Sequence, residues 1–115
     1  MYTVKKLSPI ISVKDLMDAI DEYKDYGFGK PQTFGDPVVH AIFNKDNHEL
    51  HLSSGGKPGG SSLWLIVQNL TETKELILKN RPHVEYEELE NPPSGFREFS
   101  IEDTSGNILT FAEAK

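Results

Sequence analysis

The residues best equipped for chemistry are His40, His48 and His51, three of the four histidines in the chain. A neutral imidazole binds transition metals, and its protonation changes near neutral pH. The chain has no cysteine, which removes thiolate nucleophiles, disulfides and sulfur-ligated metals together. His48 and His51 lie three residues apart, a spacing that would share a face on a helix. Their segment reads as a strand, with Leu50 and Leu52 alternating with Glu49, His51 and Ser53. On a strand an odd separation places the two imidazoles on opposite faces, so they are no chelating pair. His40 is the better partner for His51. Asn44-Lys45-Asp46-Asn47 is a turn sequence, and a hairpin symmetric about Lys45-Asp46 sets His40 opposite His51, Ala41 opposite Leu50 and Val39 opposite Leu52. Opposed side chains touch. The pair reads as a pH-sensitive ligand contact, as a weak metal site, or as a half-exposed pair on a solvated sheet face.

Trp64 is the only tryptophan. Its flat surface can stack an aromatic or cationic ligand, or it can fill a narrow space against protein. Glu85, Glu87, Glu88 and Glu90 form an acidic run, as expected of a solvated edge strand whose charge deters pairing. Glu98 and Glu102 either line a groove or face solvent. No motif assembles a nucleophile with a base. The glycine-rich stretch Gly55 to Gly60 contains Lys57, yet it lacks the Gly-Lys-Ser/Thr ending and opens no helix. It is expected to be a linker, not a phosphate loop.

The elements that position these residues follow from an internal echo. Ile11-Ser12-Val13-Lys14-Asp15-Leu16 is similar to Leu65-Ile66-Val67-Gln68-Asn69-Leu70, at an offset of 54 residues. After the first copy, Leu16, Ala19, Ile20 and Tyr23 share one helical face, while Asp18, Asp21, Glu22 and Lys24 fall elsewhere. Asp15 is the expected N-cap, and the helix should stop near Gly27. After the second copy, Thr71 to Asn80 reads as a helix ended by Arg81-Pro82. Strands are expected at Gln32–Phe34, Val38–Phe43 and His48–Ser53, then at Val84–Leu89, Arg97–Glu102 and Ile108–Ala112. Ser105-Gly106-Asn107 makes the last hairpin turn. The order is βαβββ twice, in one domain, with the first module spanning about residues 1–56 and the second about residues 57–115.

The formal charge of −6 repels phosphate backbones, and no basic patch offsets it, so no nucleic-acid partner is expected. No apolar run approaches the ~20 residues that cross a bilayer, so no membrane partner is expected either. Met1 to Lys6 lacks the apolar core of a signal peptide. A cytoplasmic protein is the expectation.

The order of elements, with Pro9-Ile10-Ile11-Ser12-Val13-Lys14-Asp15-Leu16, Ala19-Ile20 and Tyr26-Gly27-Phe28 in the first half, resembles the vicinal-oxygen-chelate superfamily. Gly95-Phe96-Arg97-Glu98-Phe99-Ser100-Ile101-Glu102-Asp103, running into Gly106-Asn107-Ile108-Leu109, looks most like the bleomycin resistance proteins within it. The resemblance covers about Leu7 to Ala114. It implies an α+β fold in which two βαβββ modules, with mixed, mostly antiparallel sheets, form an incomplete barrel around a cleft. Alternation then assigns Pro9, Ile11, Val13, Leu63, Leu65, Val67, Leu109 and Phe111 to the core. It turns Ser8, Ile10, Ser12, Ser62, Trp64, Ile66, Ile108, Thr110 and Ala112 toward the cleft. Phe96 stands where the bleomycin resistance proteins place an aromatic that helps clasp the drug; their second clasp falls near Val38.

Metal-dependent members mount His and Glu at four strand positions, which here are Ser8, His51, Ser62 and Thr110. One imidazole and three hydroxyls are a poor donor set, because catalytic sites use about three good protein ligands. The expectation is therefore a protein without cofactor or metal. It would bind a small aromatic or cationic molecule in a cleft drawn from Ser8, Ile10, His40, His51, Ser62, Trp64, Phe96, Glu98 and Thr110. The resemblance implies a homodimer with the clefts at its interface. The alternatives are a metal-dependent lyase, isomerase, thiol transferase or dioxygenase, and a dimeric module whose cleft is vestigial.

Overall fold

A computed structural model describes residues 1–115. The first half contains β1 (Ile10–Ser12), α1 (Leu16–Tyr23), β2 (Gln32–Phe34), β3 (His40–Lys45) and β4 (His48–Ser53). The second contains β5 (Ser62–Ile66), α2 (Leu70–Asn80), β6 (Glu85–Leu89), β7 (Phe96–Glu102) and β8 (Ile108–Ala114). Each half forms one four-stranded sheet, in the orders β1-β4-β3-β2 and β5-β8-β7-β6. In each, the first strand pairs parallel with the fourth, and the remaining pairs are antiparallel. This is the α+β, twice-repeated βαβββ arrangement expected from the sequence. Both sheets are open, and no strand of one pairs with a strand of the other. No helix is long and apolar enough to cross a membrane.

The sequence echo has a physical origin in helix capping. Asp15 accepts a hydrogen bond from Asp18 N at 3.0 Å, and Asn69 accepts one from Glu72 N at 3.1 Å. Both satisfy a backbone N–H that the first helical turn leaves without a partner. Leu16, Ala19, Ile20 and Tyr23 are buried on α1, and Leu70 and Ile77 on α2. The first helix does not end cleanly. It widens into one π-helical turn, Lys24–Phe28, which buries Tyr26 and Phe28 and closes through Gly27 at φ 101°.

The β3–β4 hairpin corrects the expected register by two residues. Asp46 and Asn47 both adopt left-handed backbone, φ 51° and 68°, and form the two-residue turn. Asp and Asn tolerate this region better than most residues, and such a turn matches the strand twist. Lys45 therefore pairs with His48, Phe43 with Leu50 and Ala41 with Leu52. A shift of two leaves each side chain on its original face, so the apolar faces hold while the partners change. β3 begins at His40, and Val39, assigned to the strand and opposite Leu52, lies outside it and is exposed.

One apolar core runs through both halves, joining Ile11, Tyr23, Phe43 and Leu52 to Phe99, Ile101, Leu109 and Phe111. Pro9, expected in it, is exposed, because β1 starts one residue later. Leu63, Leu65 and Val67 pack on the core but are only half-buried, since β5 is an edge strand. The halves also share a polar joint. The Tyr23 hydroxyl donates to Asp103, Thr104 N donates to Glu22, and Asn107 bridges Ser12 O and Ser61 N. Glu22, Asp103 and Asn107 are all buried. The glycine linker is tied into this joint by Gly59 N donating to Ser12 O and Gly60 N donating to Gly106 O. A Cβ on Gly59 would stand 2.5 Å from the Ser105 carbonyl oxygen, so only glycine fits there.

Candidate functional site

The sequence-expected cleft residues divide between the two sheets. On the first sheet, Ile10, His51 and Ile42 lie in one register row, and Ser53, His40 and Phe34 in the next. The register shift makes His40 and His51 diagonal neighbours, which still reach one another. Their rings meet edge to face at 4.9 Å, with His40 Nε2 2.7 Å from His51 Nδ1. The other nitrogen of His51, Nε2, lies 2.7 Å from Glu49 Oε1. Lys6 donates to Glu49 Oε2 at 2.7 Å, and the Ser8 hydroxyl donates to Oε1 at 3.4 Å. The Lys6 ammonium foremost, and His51 next, hold the Glu49 carboxyl down to about pKa 2. It is an anion at every ordinary pH.

On the second sheet, Trp64, Thr110 and Ser100 share a row. Trp64 meets Phe96 edge to face, ring centres 5.1 Å apart and planes at 80°. Ala112 lies between their registers on the same face of β8 and is fully buried. A small residue there leaves room for the rings. Trp64 nonetheless keeps 50% exposure, so one side of the aromatic pair is open. Thr110 and Ser100 share a hydroxyl hydrogen bond of 2.8 Å. Glu98 is half-buried and accepts from the Ser94 hydroxyl at 2.7 Å. Ser62 is exposed beside Ile108. Glu102 is exposed, and the acidic run lies on β6, a fully exposed edge strand, except for Glu90 just past its end. Lys74 pairs with Glu88 there.

A groove of about 600 Å³ runs between the β3–β4 turn and the N-terminal segment on one side and β5 on the other. Lys6, Pro9, Glu49, Trp64 and Ile66 are among its walls. It brings Trp64 to the same hollow as the Lys6–Glu49 pair. Ser8, Ile10, His40, His51, Ser62, Phe96, Glu98 and Thr110 do not line it. Lys6, Glu49 and Phe34 were missed from the sequence. Glu49 carried a signal, since it shares the face of His51 two residues on; Lys6 lies before any regular element and carried none.

The residues present do not suit a metal ion. No three His, Asp or Glu side chains are arranged so that they could hold a metal ion. Both ring nitrogens of His51 are engaged within the protein, and Thr110 and Ser8 are hydrogen-bonded to neighbours.

By sequence, no family model and no curated protein matches the chain. By structure, it is similar to a glyoxalase/bleomycin resistance protein from Catenulispora acidiphila, with TM-score 0.77 and 20% identity over 95% of this chain and 97% of that one. A glyoxalase-related enzyme from Clostridium phytofermentans gives TM-score 0.80 and 18% identity over 99% and 98%. The bleomycin-binding protein of Streptomyces verticillus, solved with copper(II)-bleomycin, gives 0.77 and 18% over 100% of both chains. With its two repeated modules and these neighbours, the chain has the vicinal-oxygen-chelate fold of the glyoxalases and bleomycin-binding proteins.

Proposed function

We propose that this chain is a non-enzymatic binding protein that sequesters a small aromatic or cationic molecule without a metal, and so protects its host from a toxic compound. The observation that carries the reading is the Trp64–Phe96 pair, packed edge to face with half of Trp64 left open. An indole fixed by a second ring offers a pre-set stacking surface at little entropic cost. The donor set at Ser8, His51, Ser62 and Thr110 supports binding over metal-dependent catalysis, as does the engagement of Ser8, His51 and Thr110 in internal hydrogen bonds. The bleomycin-binding proteins of the same fold, solved with bleomycin, supply a precedent for sequestration. The acidic charge of the chain favours a cationic ligand. The cytoplasm is the proposed compartment for a chain without cysteine.

A homodimer completes this reading. β1 and β5 each keep one free edge, and Leu7, Ile10, Trp64 and Ile66 are 91%, 61%, 50% and 64% exposed. A second copy laid along these edges would cover them and wall the open side of the aromatic pair. The test is a titration of Trp64 fluorescence with bleomycin and with simpler aromatic cations. A saturable change is expected; no saturable response to any of them would overturn the reading.

A further inference from the structure

The side chains of Lys6, Glu49, His51 and His40 form a hydrogen-bonded row whose direction is dictated by its first anion. An ionised carboxylate only accepts, so His51 Nε2, 2.7 Å from Glu49 Oε1, carries a proton and donates. In a neutral imidazole the other nitrogen is then bare. His51 Nδ1 therefore accepts from His40 Nε2 across their 2.7 Å contact. By the same rule His40 Nδ1 is bare. That nitrogen has no partner within the chain and is not among the buried unpaired atoms, so its lone pair is open to a ligand.

We propose that His40 Nδ1 is a hydrogen-bond acceptor subsite that recognises the hydroxyl of a phenol-type ligand. The proposal rests on the small-molecule-binding reading above, adds a contact outside the groove that Trp64 lines, and names one chemical class for it. Its surroundings fit that class. Phe34 lies across from His40 in register, ring centres 6.5 Å apart, and is exposed. Ile10, 61% exposed, stands beside His51. An aromatic body has apolar surface on either side, and its hydroxyl has one acceptor of known direction. The groups facing the histidine pair are Glu49, itself held by Lys6 and Ser8, and on the neighbouring strands the uncharged Ser53, Ile42 and Phe34.

The experiment uses the whole chain labelled with nitrogen-15. Long-range proton–nitrogen NMR above pH 7 reads which nitrogen of each histidine is protonated. The expected pattern is Nε2–H on both His40 and His51, with both Nδ1 bare. Adding 4-methylphenol should shift His40 Nδ1 saturably, and 4-methylanisole, which lacks the donor, should bind about 2- to 10-fold more weakly, the worth of one neutral hydrogen bond. Glu49→Gln removes the obligatory acceptor and should lose both the fixed proton pattern and the preference for the phenol. A hydrogen on Nδ1 of either ring overturns the proposal, as does equal binding of phenol and ether. Equal quenching of Trp64 by both probes with His40 unmoved would sink the acceptor subsite and leave the cleft reading standing. No response at His40 or Trp64 to the two probes, or to bleomycin, would sink both.

Discussion

The Tyr23 hydroxyl donates to Asp103 Oδ2 at 2.7 Å, joining the end of the first helix to the turn between the last two strands. The bond is buried and crosses from one module to the other. Asp103 also accepts from Ser105 N and Asn107 N at 2.9 and 2.8 Å, so one carboxylate shapes the turn and anchors the helix. Burial foremost, then the Asp103 charge, push the Tyr23 phenol far above its ordinary range; it remains a donor.

Tyr23→Phe should lower stability by about 1 to 3 kcal/mol, because it leaves a buried carboxylate oxygen short of a partner. Urea unfolding reads this as a lower midpoint with an unchanged slope. A variant as stable as the parent would show that the bond contributes nothing net.

Tyr26→Phe should act in the opposite direction. The Tyr26 hydroxyl is buried beside the Glu22 carboxylate but makes no hydrogen bond of good geometry, and a buried hydroxyl left without a full bond costs roughly 1 to 3 kcal/mol. Removing the oxygen should raise the midpoint or leave it level. A clear fall would mean that the hydroxyl is satisfied in solution.

Stability should also depend on pH through Glu22. Burial foremost, with the neighbouring Asp103 charge adding to it, raises its pKa against the opposing bonds from Thr104 and Tyr26. A carboxyl raised on folding binds its proton more tightly in the folded state. Its contribution is fully present below the unfolded value and is lost as pH rises through the folded one. Glu49 has the opposite sign, contributing above the ordinary carboxylate range and losing that contribution as pH falls toward about 2. Glu22→Gln should flatten the decline on the alkaline side of the ordinary carboxylate pKa. Melting curves of parent and variant over a pH series check this, and parallel curves would contradict it.

Phe96→Ala should loosen Trp64 by removing its edge-to-face partner, an interaction worth about 0.5 to 1.5 kcal/mol. A red-shifted tryptophan emission and weaker binding of aromatic cations, by several-fold, are the expected readouts. Trp64→Phe should retain part of the binding and Trp64→Ala lose it.

Ile66→Glu tests the second copy. Ile66 is 64% exposed on an edge strand, so a charge there costs the isolated chain little. Light scattering after size exclusion should show a dimeric parent and a monomeric variant with the same circular dichroism. A monomeric parent would remove the dimer from the proposal.

Much of the fold could be read from the residues, since alternation and capping are local. Leu50 and Leu52 against Glu49, His51 and Ser53 defined the faces of a strand, and Asp15-Leu16 and Asn69-Leu70 marked two helix starts. Partners across a hairpin are not local in that sense. The left-handed Asp46-Asn47 turn moved every β3–β4 pair by two residues while sparing the pattern that had suggested the register. The joint between halves was less legible still. Glu22 lies off the apolar face of its helix, yet it is 2% exposed because the other module covers it. Of the site, the face shared by Glu49, His51 and His40 could be read from alternation, but the Lys6 ammonium behind the anion could not, since Lys6 lies before any regular element.

The six-residue glycine segment, slack by composition, is fastened at Gly59 and Gly60 to both modules. It works as a rivet, pinned to Ser12 of the first half and to Gly106 of the second. Lengthening it would free each half to seek its counterpart in a neighbouring molecule, and exchanged multimers would compete with the self-contained chain.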